Sequence, residues 1–314
     1  MEFLRLIRIG NLAMLALAQY LVYYTVVVPL LKISEFTPSL YTWQFGLMVL
    51  ATVLITAGGY AINDFFDKDI DAANGIRRTA NISAWTMKTV YFSFSVIAVA
   101  IGVYLTYWLK LRQFALIFLL TSALLYFYSA SYKRLPLVGN FVVAFLTALA
   151  VFIPAFADYE MQYAFRDIRL PVENEKAYNL RVVIAITFAY ALFAFLMTFV
   201  REIIKDMEDV EGDRKLGCKT LPVVAGERVA KFTAIFFLLL IFILIVLLQI
   251  RFEWWNELIS FSYMVVALQL PVLALIVYLF FAEEKKQFHF ASVLAKITML
   301  GGILSLPVMY YSGL

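Results

Sequence analysis

The chain has 314 residues, of which 64% are hydrophobic and 15% charged, with a formal charge of +4, and its mean hydropathy is +0.86. These values lie outside the range of soluble domains and make the bilayer the solvent. The small charge without a basic run excludes nucleic acid as partner. The lone Cys218 excludes an internal disulfide and a multi-cysteine metal centre, and the lack of polar–apolar alternation excludes a membrane β-barrel.

A hydrocarbon core needs about 20 apolar residues per helical crossing. On that criterion spans are expected near 11–31, 42–63, 87–109, 113–131, 138–157, 181–200, 229–250, 257–281 and 290–311. The fold class is therefore expected to be all-α, a polytopic membrane protein of about nine transmembrane helices in a single domain, 1–314. The first span follows Arg5 and Arg8 but is too long for a signal-peptide core. Pro154, Pro271 and Pro307 fall inside spans, where they should kink a helix without ending it, because neighbouring helices can satisfy the freed carbonyls.

Nine spans put the termini on opposite sides, and Lys and Arg decide the orientation. One side collects Arg5, Arg8, Lys68, Arg77, Arg78, Lys88, Lys133, Arg134, Arg201, Lys205, Arg214, Lys215, Lys219 and the basic residues near 228–231 and 285–286. The other has Lys32, Lys110, Arg112, Arg166, Arg169, Lys176, Arg181 and Arg251. The positive-inside rule makes the first set, and with it the N-terminus, cytoplasmic.

On that face, the loops after spans two and six open with matched carboxylates: Asn63-Asp64-x-x-Asp67-x-x-x-Asp71 and Lys205-Asp206-x-x-Asp209-x-x-x-Asp213. This weak repeat predicts two similar halves, about 1–137 and 138–314, that form one cytoplasmic active site. If both segments are helical, positions i, i+3 and i+7 share a sector of roughly 60°. Asp64, Asp67 and Asp71 then form one acidic face, and Asp206, Asp209 and Asp213 a second, which Glu202 joins. Asp69 and Glu208 point away.

Carboxylates crowded at a bilayer edge repel one another and call for a cation. Oxygen ligands without His or Cys indicate magnesium or calcium, and Mg²⁺ typically combines a few carboxylates with substrate phosphate oxygens. A Mg²⁺-bridged diphosphate fits, with Lys205, Arg77, Arg78, Lys133 and Arg134 available for its remaining oxygens. The competing readings are a solvated acidic loop and, from another class, a cation-coupled membrane transporter.

At these residues the sequence resembles the UbiA superfamily of intramembrane prenyltransferases, which carries an N-D-x-x-D-x-x-x-D motif and a second aspartate-rich motif. Tyr128-Ser129-x-x-x-Lys133-Arg134-x-Pro136-x-x-Gly139-Asn140 and the pair Arg8 and Asn11 are similar to further elements of that family. The resemblance implies nine helices around a central cavity. It implies one Mg²⁺ on Asn63, Asp64, Asp67 and Asp71, a second on Asp206, Asp209 and Asp213, and Lys205 on the phosphate. Asp67, Asp209 and Lys205 are the residues expected to carry catalysis. The implied reaction is ionisation of an allylic prenyl diphosphate donor followed by attack of an acceptor.

The run from Arg201-Glu202 through Lys205-Asp206 to Asp213-Arg214, followed by Lys219-Thr220-Leu221-Pro222, resembles the branch that alkylates geranylgeranylglyceryl phosphate. Arg201 stands where several quinone-making members have Tyr. Geranylgeranylglyceryl phosphate is thus the first choice of acceptor, with an aromatic quinone precursor as alternative. Arg77-Arg78-Thr79 departs from the family's usual Arg-Pro. The only histidine, His289, is expected at the interface rather than as a base, and the outer loop from Asp158 to Arg181 shows no motif.

Overall fold

Backbone N–H and C=O groups in hydrocarbon must be paired within the segment that carries them, so apolar stretches of this length become helices. The computed structural model describes residues 2–33, 37–68, 81–109, 113–165, 175–251 and 257–312, with the backbone alone at 161–165 and 175–180. In chain order, α1 (Glu2–Leu6) leads into α2 (Ile9–Ile33), α3 (Thr42–Phe66), α4 (Ala84–Leu109), α5 (Gln113–Ala130), α6 (Val138–Phe165) and α7 (Glu175–Glu208). Then follow the short α8 (Val210–Lys215) and α9 (Leu221–Ala225), and the long α10 (Glu227–Arg251), α11 (Leu258–Phe281) and α12 (Lys285–Tyr311).

Among the described residues nine helices are long and apolar enough to cross a membrane, one for each predicted span. The chain is an integral membrane protein. Large apolar side chains such as Phe92, Val103, Phe236 and Phe280 lie exposed along these helices, as a lipid-facing surface requires. The main differences from expectation are at helix ends. The sixth span runs on to Glu208 and the ninth begins at Lys285, because Arg201, Glu202, Lys205 and Lys286 lower hydropathy without disfavouring helix. The second acidic segment is not one helix, since α7 ends at Glu208 and α8 starts at Val210. At the junction Asp209 has φ −101° and ψ 8°. The Asp209 and Asp213 N–H groups still bond the Lys205 and Asp209 carbonyls at 2.9 and 3.0 Å, so the rod is notched rather than broken.

The chain forms two compact units, residues 1–132 with 149–189, and residues 133–148 with 190–314. In the first, Leu6, Ala61, Met87 and Val90 make a buried cluster beside the start of α2, and Tyr23 stacks on Phe45 at 4.2 Å between ring centroids. Pro154 has no N–H for the Ala150 carbonyl one turn earlier. Gln19 on α2 donates its Nε2 to that carbonyl at 2.7 Å, which is the neighbour-helix compensation expected from sequence. Gln19→Leu is expected to lower stability by about 1–3 kcal/mol, the cost of an orphaned buried carbonyl. In a Pro154→Ala background, where residue 154 regains its N–H, most of that loss should vanish; thermal unfolding of the four variants in detergent measures the coupling.

Pro29 and Pro271 are handled differently. Each follows a π-helical segment, Val22–Val27 or Val265–Gln269, whose wider turn makes room for the proline ring.

The second unit has a large apolar core from α7, α10, α11 and α12, including Met197, Val200, Leu238, Leu275 and Phe288. Here α7 and α12 run side by side in opposite directions. Glu208 Oε1 lies 3.0 Å from His289 Nδ1, Phe193 packs on Gly302, and the Tyr190 and Ser305 hydroxyls are 2.9 Å apart. On α11, Tyr263 donates its hydroxyl to the Gly301 carbonyl at 2.9 Å.

Candidate active site

The end of α3 carries Tyr60, Asn63, Asp64 and Asp67 at helical spacing, so all four lie along one stripe. Asp64 is 3% exposed, and a carboxylate so placed needs a counter-charge. Arg8 provides it, donating Nη2 to Asp64 Oδ1 at 2.8 Å while its guanidinium sits 4.6 Å above the Tyr60 ring centroid. Asn11 Nδ2 donates to the Tyr60 hydroxyl at 3.2 Å. Arg8 joins α1 to α2 in the left-handed region, φ 53° and ψ 54°, a conformation uncommon outside glycine that here aims the side chain at Asp64. Asn63 Nδ2 donates to Asp67 Oδ2 at 2.6 Å, and Asp67 caps the helix with its N–H on the Asn63 carbonyl at 2.9 Å. Asp69, Asp71, Arg77 and Arg78 lie outside the described residues.

In the second unit the charged residues alternate in sign along the end of α7. Arg201 Nη1 donates to Glu202 Oε1 at 2.9 Å, and Lys205 Nζ lies 3.9 Å from Glu202 Oε2. Asp206 accepts from Asn140 Nδ2 at 2.8 Å. Buried Asp213 accepts from the Thr220 hydroxyl at 3.0 Å, and its carbonyl from the Cys218 N–H at 2.9 Å. The Lys219 N–H reaches the Arg134 carbonyl at 2.8 Å. Three separate sequence elements, 133–140, 201–213 and 218–222, are thereby tied together within one unit. Glu208 is bonded to exposed His289.

Among the described residues no three of His, Cys, Asp and Glu converge as a ready metal cage. Asp64, Asp67, Asp206 and Asp213 each accept from a separate donor, as mutually repelling charges will. The donor set nevertheless fits a hard divalent cation. Every candidate ligand is an oxygen, and a carboxylate that accepts one hydrogen bond keeps lone pairs for more. Sequence reasoning missed Tyr60, which only the spacing i, i+3, i+4, i+7 at the end of α3 could have flagged.

A polytopic helical membrane protein whose helix ends interleave carboxylates with Arg and Lys has the groups to bind an anionic ligand together with a hard cation. The UbiA prenyltransferase family pattern matches residues 12–298, and the chain is a member of that family, a transferase of prenyl groups. The digeranylgeranylglyceryl phosphate synthase of Thermococcus gammatolerans is 35% identical over 192 residues, 61% of this chain and 60% of that protein. The synthase of the same name from Thermococcus kodakarensis is 29% identical over 263 residues, 82% of this chain and 83% of that protein. A solved structure of digeranylgeranylglyceryl phosphate synthase in membranes shares the fold, with a TM-score of 0.64 at 22% identity, over 100% of this chain and 98% of the other. So does a UbiA homologue from Archaeoglobus fulgidus bound to DMAPP and Mg²⁺, with a TM-score of 0.57 at 18% identity over 98% and 99%.

Proposed function

We propose that this prenyltransferase transfers a geranylgeranyl-like chain from its allylic diphosphate to the free hydroxyl of geranylgeranylglyceryl phosphate, an ether-lipid-forming step. The observation that carries the reading is the end of α7, where Arg201 and Lys205 alternate with Glu202, Asp206 and Asp209. Cations and carboxylates mixed at one helix end suit a ligand that is both anionic and metal-bound. The acceptor follows from the synthase relatives and from Arg201 in place of an aromatic residue.

Asn63, Asp64, Asp67 and Asp71 from the first segment and Asp206, Asp209 and Asp213 from the second are the proposed ligands for Mg²⁺, two ions in all. Bound there, Mg²⁺ supplies Lewis-acid stabilisation to the departing diphosphate. Lys205, with Arg77, Arg78, Lys133 and Arg134, neutralises the remaining phosphate charge. Asn140, Asn63, Thr220 and Arg8 orient the carboxylates they bond. In the reaction the allylic C–O bond breaks with its electron pair leaving on diphosphate, a new C–O ether bond forms to the acceptor hydroxyl, and the hydroxyl proton is released. The Lys and Arg distribution supports a cytoplasmic N-terminus and a cytoplasmic active site.

Purified full-length protein in nanodiscs should form the diether from geranylgeranyl diphosphate and geranylgeranylglyceryl phosphate only with Mg²⁺, and lose all turnover in EDTA. Turnover with an aromatic acceptor such as 4-hydroxybenzoate, and none with the glycerol ether, would replace this reading by the quinone-precursor alternative. The measurement is product by mass spectrometry.

A further inference from the structure

Between the end of α7 at Glu208 and the start of α10 at Glu227 the chain joins two consecutive spans and so stays at one surface of the bilayer. Within that segment α8 ends in a Schellman motif. The Cys218 N–H bonds the Asp213 carbonyl at 2.9 Å and the Gly217 N–H the Arg214 carbonyl at 3.3 Å, with Gly217 in the left-handed region at φ 72°. The next N–H, of Lys219, bonds the Arg134 carbonyl in the connection between α5 and α6. The turn is therefore closed on itself and tied to a second connection at the same surface.

Burial divides this turn by side. Asp213, Cys218 and Thr220 are buried, with the Thr220 hydroxyl on Asp213, whereas Arg214, Lys215, Leu216 and Lys219 are all exposed. The carboxylate within 213–220 is thus turned inward and the cations outward. Among the described residues Arg214, Lys215 and Lys219 make no ion pair. Leu216 between them is 41% exposed, and Leu135, beside Arg134, is 40% exposed. A soluble anion would use the charges and leave the leucines in water. A bilayer surface uses both, because phosphates attract the cations while the boundary with the acyl chains takes the apolar side chain.

We infer that the turn 213–220 docks on the anionic phospholipid headgroups of the leaflet on its own side, with Arg214, Lys215 and Lys219 on their phosphates and Leu216 at the acyl boundary. The backbone bonds that close the turn present these side chains already in place, so docking orders little further chain. The same contact holds the segment from Asp209 to Thr220 at headgroup level.

The test uses the full chain in neutral detergent, titrated with phosphatidylglycerol or phosphatidylcholine, and reads bound phospholipid by native mass spectrometry. Wild-type protein should bind phosphatidylglycerol at least about tenfold more tightly than phosphatidylcholine. Each basic residue near an anionic lipid surface is worth about fivefold. The triple variant Arg214→Gln, Lys215→Gln, Lys219→Gln should therefore weaken phosphatidylglycerol about ten- to a hundredfold and leave phosphatidylcholine unchanged. If the triple variant does not fold, Lys215→Gln alone is read, with a loss of about fivefold. Lys285→Gln with Lys286→Gln, which removes exposed charge at the start of α12, should leave both affinities as they are. No preference in wild type, no loss in the turn variants, or an equal loss in the α12 control overturns the assignment. So does release of bound phosphatidylglycerol by inorganic diphosphate with Mg²⁺, which would give the cations to a soluble substrate.

Discussion

Asp67→Asn and Asp209→Asn are each expected to lower kcat/KM by at least about a hundredfold, with the protein still monodisperse in detergent and its thermal midpoint little changed. Altering merely a partner of a metal ligand costs about 10–100-fold in metal affinity or activity, and these variants neutralise the ligand itself. Asparagine keeps the shape and can still accept a hydrogen bond, so the Asn63 contact to residue 67 at 2.6 Å is not lost on steric grounds. Asp209 stands at the notch between α7 and α8, where its backbone N–H and C=O are both used, and these bonds across the notch are open to asparagine as well. Raising Mg²⁺ should restore part of the activity of either variant if charge is what was lost. Full activity in both at ordinary Mg²⁺ would end the two-segment metal proposal.

The second large effect concerns folding. Gly301→Val is expected to destabilise the protein by about 3 kcal/mol, at the upper end of ordinary overpacking. A Cβ at Gly301 would sit 2.7 Å from the Ala267 carbonyl oxygen. That oxygen belongs to backbone in the π-helical segment before Pro271 and cannot swing aside as a side-chain tip does. The shift needed to relieve the contact would also strain the Tyr263 bond to the Gly301 carbonyl. Gly46→Ala is the control, because a Cβ there meets the Tyr20 hydroxyl oxygen only at 3.9 Å. It should be neutral or stabilising by up to about 1 kcal/mol from helix propensity. Similar loss in both variants, read by thermal unfolding in the same detergent, would show that the α11–α12 crossing is not the tight one.

What was legible in the sequence is what depends on neighbours in the chain. The spans follow from runs of apolar residues, and the acidic stripes from i, i+3, i+7 spacing. The ends of α7 were misjudged because hydropathy stops at Arg201 whereas helical hydrogen bonding does not stop until Glu208. Contacts over long separations were invisible. Nothing local in Arg8 announces Asp64, and nothing in the C-terminal part of α6 announces that buried Asp158 accepts from the Tyr23 hydroxyl and the Ser39 N–H, both at 2.9 Å. Asn140 illustrates the intermediate case: it stands in a motif similar to the family's, yet its bond to Asp206 emerges only when α6 and α7 are folded side by side.

The π-helical turn at Val22–Val27 has a consequence for how this chain tolerates insertion and deletion. Each hydrogen bond there encloses one residue more than an α-helical bond does, so the segment amounts to a one-residue insertion absorbed within α2. Deleting one residue from it would heal the helix to a regular α-form and leave its N-terminal side in nearly the same phase, because the wide turn already absorbs the extra residue. Gln19 would keep the Ala150 carbonyl, and Asn11 the Tyr60 hydroxyl. A single deletion within 22–27 should therefore be tolerated better than one in the regular helix at 12–18, where losing a residue would turn Asn11 away from the Tyr60 hydroxyl by about 100°.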